Sequence, residues 1–234
     1  MRADATIAVI VPALNEEHSI GLVLAAIPDW VDDVIVADNG STDRTAAIAR
    51  EHGARVVSET ASRGYGAACL AGMGLLDSAD VVVFLDADNS DRPEEMAALV
   101  DPIVAGEADM VLGSRVLGDC EPGALSLHQR LGNRVVCGLI RLIWGVAYSD
   151  LGPFRALSHA ALARIAMEER GHGWTTEMQV RATRLGLRVI ETPASYRRRV
   201  IGQSKISGSL TGTLRAAWGI FMVIAREALA SRRR

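Results

Sequence analysis

The sequence predicts an α/β protein in which a mainly parallel sheet is covered by helices on both faces. Three observations carry this. Apolar runs of strand length alternate with helix-period patterns through the first half of the 234-residue chain, as in successive βαβ units. The run Val81–Leu85 is continuously apolar, as expected of a strand buried on both faces. Polar, acid-bearing turns follow three of the strands, and in a parallel sheet they gather at one edge, where open α/β sheets bind ligands.

Ile7–Val11 reads as the first strand and runs into Pro12-Ala13-Leu14-Asn15-Glu16. A helix follows, because Ile20, Val23, Leu24 and Ile27 recur at three- and four-residue spacing. Val34–Ala37 is the second strand; its turn is Asp38-Asn39-Gly40-Ser41-Thr42-Asp43, and Thr42–His52 is the next helix. Arg55–Ser58 is a third strand, and Gly66–Leu76 is a helix of small residues. After Val81–Leu85 come Asp86-Ala87-Asp88 and a helix over Pro93–Val104. Pro93 suits the first helical turn, Glu94 and Glu95 complement the dipole, and Asp91 stands where an N-cap is expected, with a third available carboxylate as the alternative. Met110–Leu112 is the fifth strand.

The second half is less regular. Residues 125–147 read as one long helix with Val135, Leu139, Leu142, Ile143 and Val146 on its apolar side. Phe154–Leu157 is a short strand, Ser158–Met167 and Thr175–Leu185 are helices, Arg188–Thr192 is a strand, and 210–229 is a closing helix. With no repeat, low-complexity tract or long linker, residues 1–234 are expected to form a single domain.

Net charge is only −3, yet it is unevenly spread. Residues 1–117 hold 7 Arg and no Lys against 20 Asp and Glu; residues 118–234 hold 17 Arg and 1 Lys against 8. An acidic half that takes a cation and a basic half that takes a phosphate explain the split, with a chance distribution of solvated charges as the alternative. Nothing in it points to nucleic acid. Cys69, Cys120 and Cys137 have no paired spacing, which argues against a disulfide framework or a zinc knuckle. They read as small buried hydrophobes in a reducing, cytoplasmic compartment. The N-terminal apolar stretch is too short for a signal peptide and runs into Asn15-Glu16-Glu17. No segment offers about 18 uninterrupted apolar residues, so no spanning helix is expected.

The chemistry is concentrated at Asp86-Ala87-Asp88. Two carboxylates one residue apart at the carboxyl end of a strand repel unless a cation or donor groups neutralise them. Oxygen ligands suit Mg²⁺ or Mn²⁺, ions that commonly bridge one or two carboxylates to substrate phosphates. A surface turn is the plainer reading of the same residues. No Gly-x-Gly-x-x-Gly follows the first strand and no Walker loop is present, which argues against a dinucleotide fold. In the second half, Arg130, Arg134 and Arg141 fall within about 40° on one helix face, as a solvated face or a guide for an anionic lipid head. Lys205 is the only lysine, in a chain that otherwise uses Arg as its cation. Set among Gly202, Ser204, Ser207 and Gly208, it suits a compact charge meeting phosphate. Trp174 stacks on a sugar or packs in the core; His128, His159 and His172 lack ligand spacing and read as structural or surface residues.

These motifs carry a resemblance. Pro-Ala-Leu-Asn-Glu at 12–16, Asp-Asn-Gly-Ser-Thr-Asp at 38–43, Arg63-Gly64-Tyr65-Gly66, Asp86-Ala87-Asp88 and Gly113-Ser114-Arg115 resemble family 2 glycosyltransferases. The branch they look like is the dolichol-phosphate mannosyltransferase-like one, the polyprenyl-phosphate glycosyltransferases. Arg130-Leu131-Gly132-Asn133, Asp150-Leu151-Gly152-Pro153-Phe154-Arg155, Glu177 and Arg199 through Lys205 agree with it, so the resemblance spans roughly residues 7–220. It implies a GT-A fold and inverting transfer of a hexose from GDP-mannose or UDP-glucose, with Mg²⁺ or Mn²⁺. By the same resemblance Pro12, Asn15, Glu16, Asp38, Arg63, Asp86 and Arg115 bind the nucleotide sugar, and Asp86 and Asp88 hold the metal. Asp88, Arg199, Lys205 and Glu177 serve the reaction, and Arg130 and Arg134 meet an acceptor phosphate. Residues 1–117 are then the nucleotide-sugar and metal half, and 118–234 the acceptor half with amphipathic helices.

The resemblance implies a polyprenyl or dolichyl phosphate acceptor, whose ionised oxygen needs no strong base; for an alcohol, Asp150 or Glu177 is the candidate base. Gly152-Pro153 replaces the Ser-Gly of relatives beside the sugar pocket, which leaves the donor sugar open. The amphipathic 214–229 segment and the Arg232-Arg233-Arg234 tail are expected to give peripheral contact with the inner face of the membrane. A small soluble acceptor is the alternative, and a non-catalytic nucleotide-sugar-binding module is the alternative of another class. A phosphatase-style hydrolase lacks the expected residues after Asp86.

Overall fold

The computed structural model describes residues 4–58, 64–199 and 210–231, the side chains of 210–215 excepted. Its strands are β1 (Ile7–Ala13), β2 (Asp33–Asp38), β3 (Arg55–Ser58), β4 (Val81–Phe84), β5 (Met110–Ser114), β6 (Arg155–Ser158) and β7 (Val189–Pro193). They form one sheet in the order β3-β2-β1-β4-β6-β5-β7. Only β6 runs against its neighbours, pairing antiparallel with both β4 and β5. It comes from the second half of the chain yet lies between two first-half strands, so the two halves share one sheet.

The helices are α1 (Ile20–Ala26), α2 (Thr45–Glu51), α3 (Tyr65–Met73), α4 (Ala97–Val104), α5 (Leu127–Trp144), α6 (His159–Ile165), α7 (Trp174–Arg184) and α8 (Leu210–Ser231). Both sheet faces are covered. Val81, Val83 and Leu85 pack with Ile20, Val23, Leu99 and Val100 on one side. Val82 and Phe84 pack with Trp174, Met178 and Ile140 on the other. This double burial is why β4 is apolar without alternation, and each fully buried side chain contributes about 1.5–3 kcal/mol. Trp174 is 1% exposed and meets Phe84 edge-on at 5.8 Å between ring centroids, so it belongs to the core and not to a sugar platform. All three cysteines are free.

Most boundaries shift from the sequence reading by one to three residues, and three of the shifts have a visible local reason. α2 starts at Thr45, not Thr42, because the residues before it tie the turn. The Thr42 N–H donates to Asn15 Oδ1 at 2.8 Å, and the Thr45 N–H donates to Asp43 Oδ1 at 3.0 Å. Pro93–Glu95 forms a 3₁₀ turn before α4, and no side chain caps it. Asp91 is therefore not an N-cap; it is buried and accepts from the Asp86 N–H at 3.4 Å. α5 spans Leu127–Trp144 within the expected 125–147. Ser126 and Gln129 form a capping box at its start, and Gly145 ends it in the left-handed region at φ 74°.

Among the described residues no helix is long and apolar enough to cross a membrane.

Candidate active site

β1, β2 and β4 are parallel neighbours, so their carboxyl-end turns converge. The β4 turn carries three acids, Asp86, Asp88 and Asp91. Asp88 is buried; its Oδ1 accepts from the Ser90 N–H at 2.9 Å, and its Oδ2 faces the Arg199 guanidinium at 2.6 Å. Burial, then the Asp88 charge, raises the Asp86 carboxyl to about 7 against the pull of Arg199. Burial, then Asp86 and Asp88, also pushes Asp91 well above the usual carboxylate range. The segment that brings Arg199 is anchored on the same turn. The Arg197 N–H donates to the Ser90 carbonyl at 2.9 Å and its Nε to the Asn89 carbonyl at 2.6 Å. This is where the basic half of the chain meets the acidic half.

Tyr65 opens α3 and donates its hydroxyl to Asp86 Oδ1 at 3.0 Å. Burial, then the nearby Asp86, raises the phenol well above its ordinary value, so it stays a donor at neutral pH. The two glycines around it permit this placement. A Cβ on Gly64 would stand 2.2 Å from the Arg170 carbonyl oxygen, and one on Gly66 2.1 Å from that of Glu169. The 169–171 loop thus presses directly on the start of α3, where the Ala67 N–H donates to the Arg170 carbonyl at 2.8 Å.

A cleft of about 320 Å³ lies over the acidic turn, walled by Pro12, Glu16, Asn39, Tyr65, Asp86 and Asp88, with His172 and Arg199 closing it. Asn15 and Asp38 are not part of this wall. Asn15 adopts φ 51°, and its N–H donates to Ser41 Oγ at 2.9 Å. Asp38 Oδ1 accepts from the Ser41 N–H at 3.0 Å. Both shape the turns.

α5 separates two further cavities. One, about 480 Å³, lies between α5 and α8 and is mostly apolar, lined by Val136, Leu139, Ile220 and Ile224. It shares Tyr65, Asp86, His172 and Arg199 with the cleft, so the two are continuous. The other, about 510 Å³, lies on the opposite flank of α5 and holds Arg130, Arg134 and Arg141. Arg115 reaches both. Asp150 grips it with two bonds, from Nε to Oδ2 at 2.7 Å and from Nη2 to Oδ1 at 2.8 Å. Burial pushes the Asp150 carboxyl up, but the bonds and charge of Arg115 outweigh it and hold the group below its usual range. A carboxylate so paired makes a poor base.

The structure therefore unites Pro12, Glu16, Asp86, Asp88 and Arg199, and sets Arg115, expected with them, on the walls of the two cavities that flank α5 and not on that of the cleft. Arg130 and Arg134 stand apart from the carboxylates, across α5. Glu177 is also apart: it is fully buried, and its Oε2 accepts from the Glu168 and Glu169 N–H groups at 3.0 and 2.8 Å. Its Oε1 pairs with Arg181 at 3.1 Å and with Arg226. Arg63 and Lys205 lie outside the described residues.

The model of "Glycosyl transferase family 2" matches residues 8–203. The chain belongs to this family. A relative, an uncharacterized glycosyltransferase of Mycobacterium tuberculosis, is 39% identical over 228 residues, 96% of this chain and 100% of the relative. The undecaprenyl-phosphate mannosyltransferase of Micrococcus luteus is 32% identical over 220 residues, 87% of this chain and 88% of the relative. Among solved structures, glucosyl-3-phosphoglycerate synthase of Mycobacterium tuberculosis in complex with Mn²⁺, UDP-glucose and phosphoglyceric acid is 28% identical. It superposes with TM-score 0.78 over 97% of this chain and 81% of that one. The fold is GT-A, as the resemblance implied.

In this family 2 site the residues fit a divalent metal. Asp88 Oδ2 is buried and makes no hydrogen bond of good geometry, only the ion pair with Arg199 at 2.6 Å, so it is an oxygen matched to positive charge, which a metal would share with the guanidinium. Among the described residues no three His, Cys, Asp or Glu side chains converge as a cage, so further ligands would come from a phosphate or water, as magnesium and manganese sites allow. Three contributors were not predicted as site residues: Tyr65, His172 and the buried Arg155. Arg155 Nη1 donates to the Thr175 carbonyl at 3.1 Å and its Nη2 to the Gly152 carbonyl, fixing the loop beside Asp150. Tyr65 and Arg155 sat in recognised motifs, but only the tertiary contacts give them roles.

Proposed function

We propose that this family 2 glycosyltransferase moves a hexose from a nucleoside diphosphate sugar, GDP-mannose or UDP-glucose, to a polyprenyl phosphate with inversion. The observation that carries the reading is the continuity of the apolar α5–α8 chamber with the carboxylate cleft. An acceptor with an ionic head and a hydrocarbon tail fits such a pair: the tail between Leu139 and Ile220, the head near Arg115 and Arg199. The undecaprenyl-phosphate mannosyltransferase and the polyprenol monophosphomannose synthase among the relatives support it.

Asp86 and Asp88 would hold Mg²⁺ or Mn²⁺, which when bound neutralises charge on the leaving diphosphate. Pro12 and Glu16 border the nucleotide, with Asn15 and Asp38 shaping the pocket and Arg63 near the donor. Arg199 and Lys205 stabilise the leaving group. A phosphate oxygen of the acceptor attacks the anomeric carbon as the bond to the diphosphate breaks; the nucleoside diphosphate leaves with the electron pair. The acceptor oxygen is already ionised at neutral pH, so no side chain need take a proton. A lipid acceptor sets this work at a membrane surface, on the cytoplasmic side that three free thiols favour.

A second reading has its own observation. The cavity holding Arg115, Arg130, Arg134 and Arg141 suits a small phosphorylated acid, as in the solved synthase that holds phosphoglyceric acid. The test is transfer of labelled hexose from each donor with Mn²⁺, to a polyprenyl phosphate and to 3-phosphoglycerate in parallel. Label extracted into organic solvent, and lost in Asp88→Asn, is the expected result. Label confined to the aqueous product moves the acceptor to the arginine cavity.

A further inference from the structure

The exposed large hydrophobic side chains are concentrated on two helices. Of thirteen among the described residues, nine belong to α5 and α8. On α5, Leu127, Leu131, Val135 and Leu142 fall within about 80° of arc, a single stripe. Leu127 and Leu142 are 86% and 82% exposed. On α8, Trp218, Phe221, Met222 and Leu229 span about 100°, and Trp218 is 64% exposed.

The two stripes border one opening. Val135 and Phe221 are each 52% exposed and also line the chamber between the helices, so they form its lips. Trp144 Nε1 donates to Ser231 Oγ at 3.1 Å, which ties the carboxyl ends of the helices together and sets them side by side. Apolar patches of this extent mark an interaction surface and not ordinary exposure.

Charge identifies the partner. Arg130, Arg134 and Arg141 follow the outer edge of the α5 stripe, within about 40° of one another, and all three are exposed. α5 contains no Asp or Glu. The only acid of α8, Glu227, is 2% exposed and paired with Arg181 and Arg184. An isologous contact with a second copy would bring two arginine rows together with no acid on these helices to receive them. An anionic lipid bilayer meets both features: acyl chains for the stripe, headgroups for the arginines. We propose that the α5–α8 face docks on an anionic membrane, with the mouth of the chamber turned to the lipid.

This inference stands on the surface and goes beyond the acceptor reading, so its test contains neither donor nor polyprenyl phosphate. The protein is sedimented with vesicles of phosphatidylcholine alone and of phosphatidylcholine with phosphatidylglycerol, while tryptophan emission is followed. Binding to the anionic vesicles, falling with salt, and a blue shift absent in Trp218→Phe are expected. The double variant Leu131→Glu, Leu142→Glu changes only exposed positions; its partition should fall about tenfold or more, because two leucines no longer enter the lipid. Its circular dichroism and melting temperature should match the parent and show that it is folded. Equal vesicle binding by parent and double variant, or none by either, overturns the proposal. So does a parent dimer in light scattering that the double variant dissociates, which would assign the face to a second copy. Loss of transfer with vesicle binding intact would count against the acceptor reading alone.

Discussion

Asp86 and Asp91 are carboxyls whose folded-state proton affinity is raised, Asp86 to about 7, chiefly by burial. Without metal the folded chain binds more protons than the unfolded chain above the ordinary carboxylate range near 4. Stability of the metal-free protein must therefore fall as pH rises from about 4 to 7. Bound metal competes with those protons, so Mn²⁺ together with a nucleoside diphosphate should release protons at pH 6. Calorimetry in buffers of different ionisation enthalpy reads that release. A melting temperature that climbs from pH 5 to 7 without metal, or no proton release on binding, would contradict the assignment. Tyr65 works at the same scale. Its neutral hydroxyl fixes one oxygen of Asp86, and that role was invisible in the sequence because it depends on a 169–171 loop about a hundred residues away.

Among the elements, α7 and α8 meet through a buried ion network. Glu177 and Glu227 accept from Arg181, Arg184 and Arg226. Glu177 also holds the N–H groups of Glu168 and Glu169, and the loop that follows braces Gly66 and Ala67 beside Tyr65. The route from α8 to the acidic turn thus runs through Glu177, a positioning residue and not a base. Glu177→Ala removes the acceptor of the Glu168 and Glu169 N–H groups, while Arg181 and Arg226 keep Glu227, and should cost about 1–3 kcal/mol, read as a lower melting temperature. Glu177→Gln should lower the melting temperature and raise the donor KM while the pH profile of kcat keeps its shape. A base would behave differently, losing about 10²–10⁴ in kcat at unchanged stability.

Across the whole molecule, what was legible followed from local rules. The double burial of β4 is written in an unbroken apolar run; the ends of α5 follow the same local rules through Ser126, Gln129 and Gly145, although the periodicity alone extended the helix to 125–147. Pro12, Glu16, Asp86 and Asp88 meet because parallel β1 and β4 place their turns together, which a strand-and-turn pattern foretells. Position across α5 was not legible. Helical spacing puts Arg130, Arg134 and Arg141 on one face, but which cavity that face turns to depends on how α5 packs, and it turns from the carboxylates. The antiparallel insertion of β6 is likewise a long-range choice that its four residues do not encode.

The central claim is that the α5–α8 chamber receives the hydrocarbon tail of the acceptor. Gly132 lies on its wall, and a Cβ there would meet nothing within 4 Å. Gly132→Trp should therefore fill the chamber without disturbing the fold, since leaving glycine favours the helix by up to about 1 kcal/mol. The measurement is steady-state transfer by this variant to a long-chain polyprenyl phosphate, beside nucleoside diphosphate affinity. The account predicts a KM for the long-chain acceptor raised about tenfold or more, the loss of one or two buried apolar contacts, with nucleotide affinity unchanged. An unchanged acceptor KM in a folded variant would contradict it and remove the chamber from the path of the acceptor.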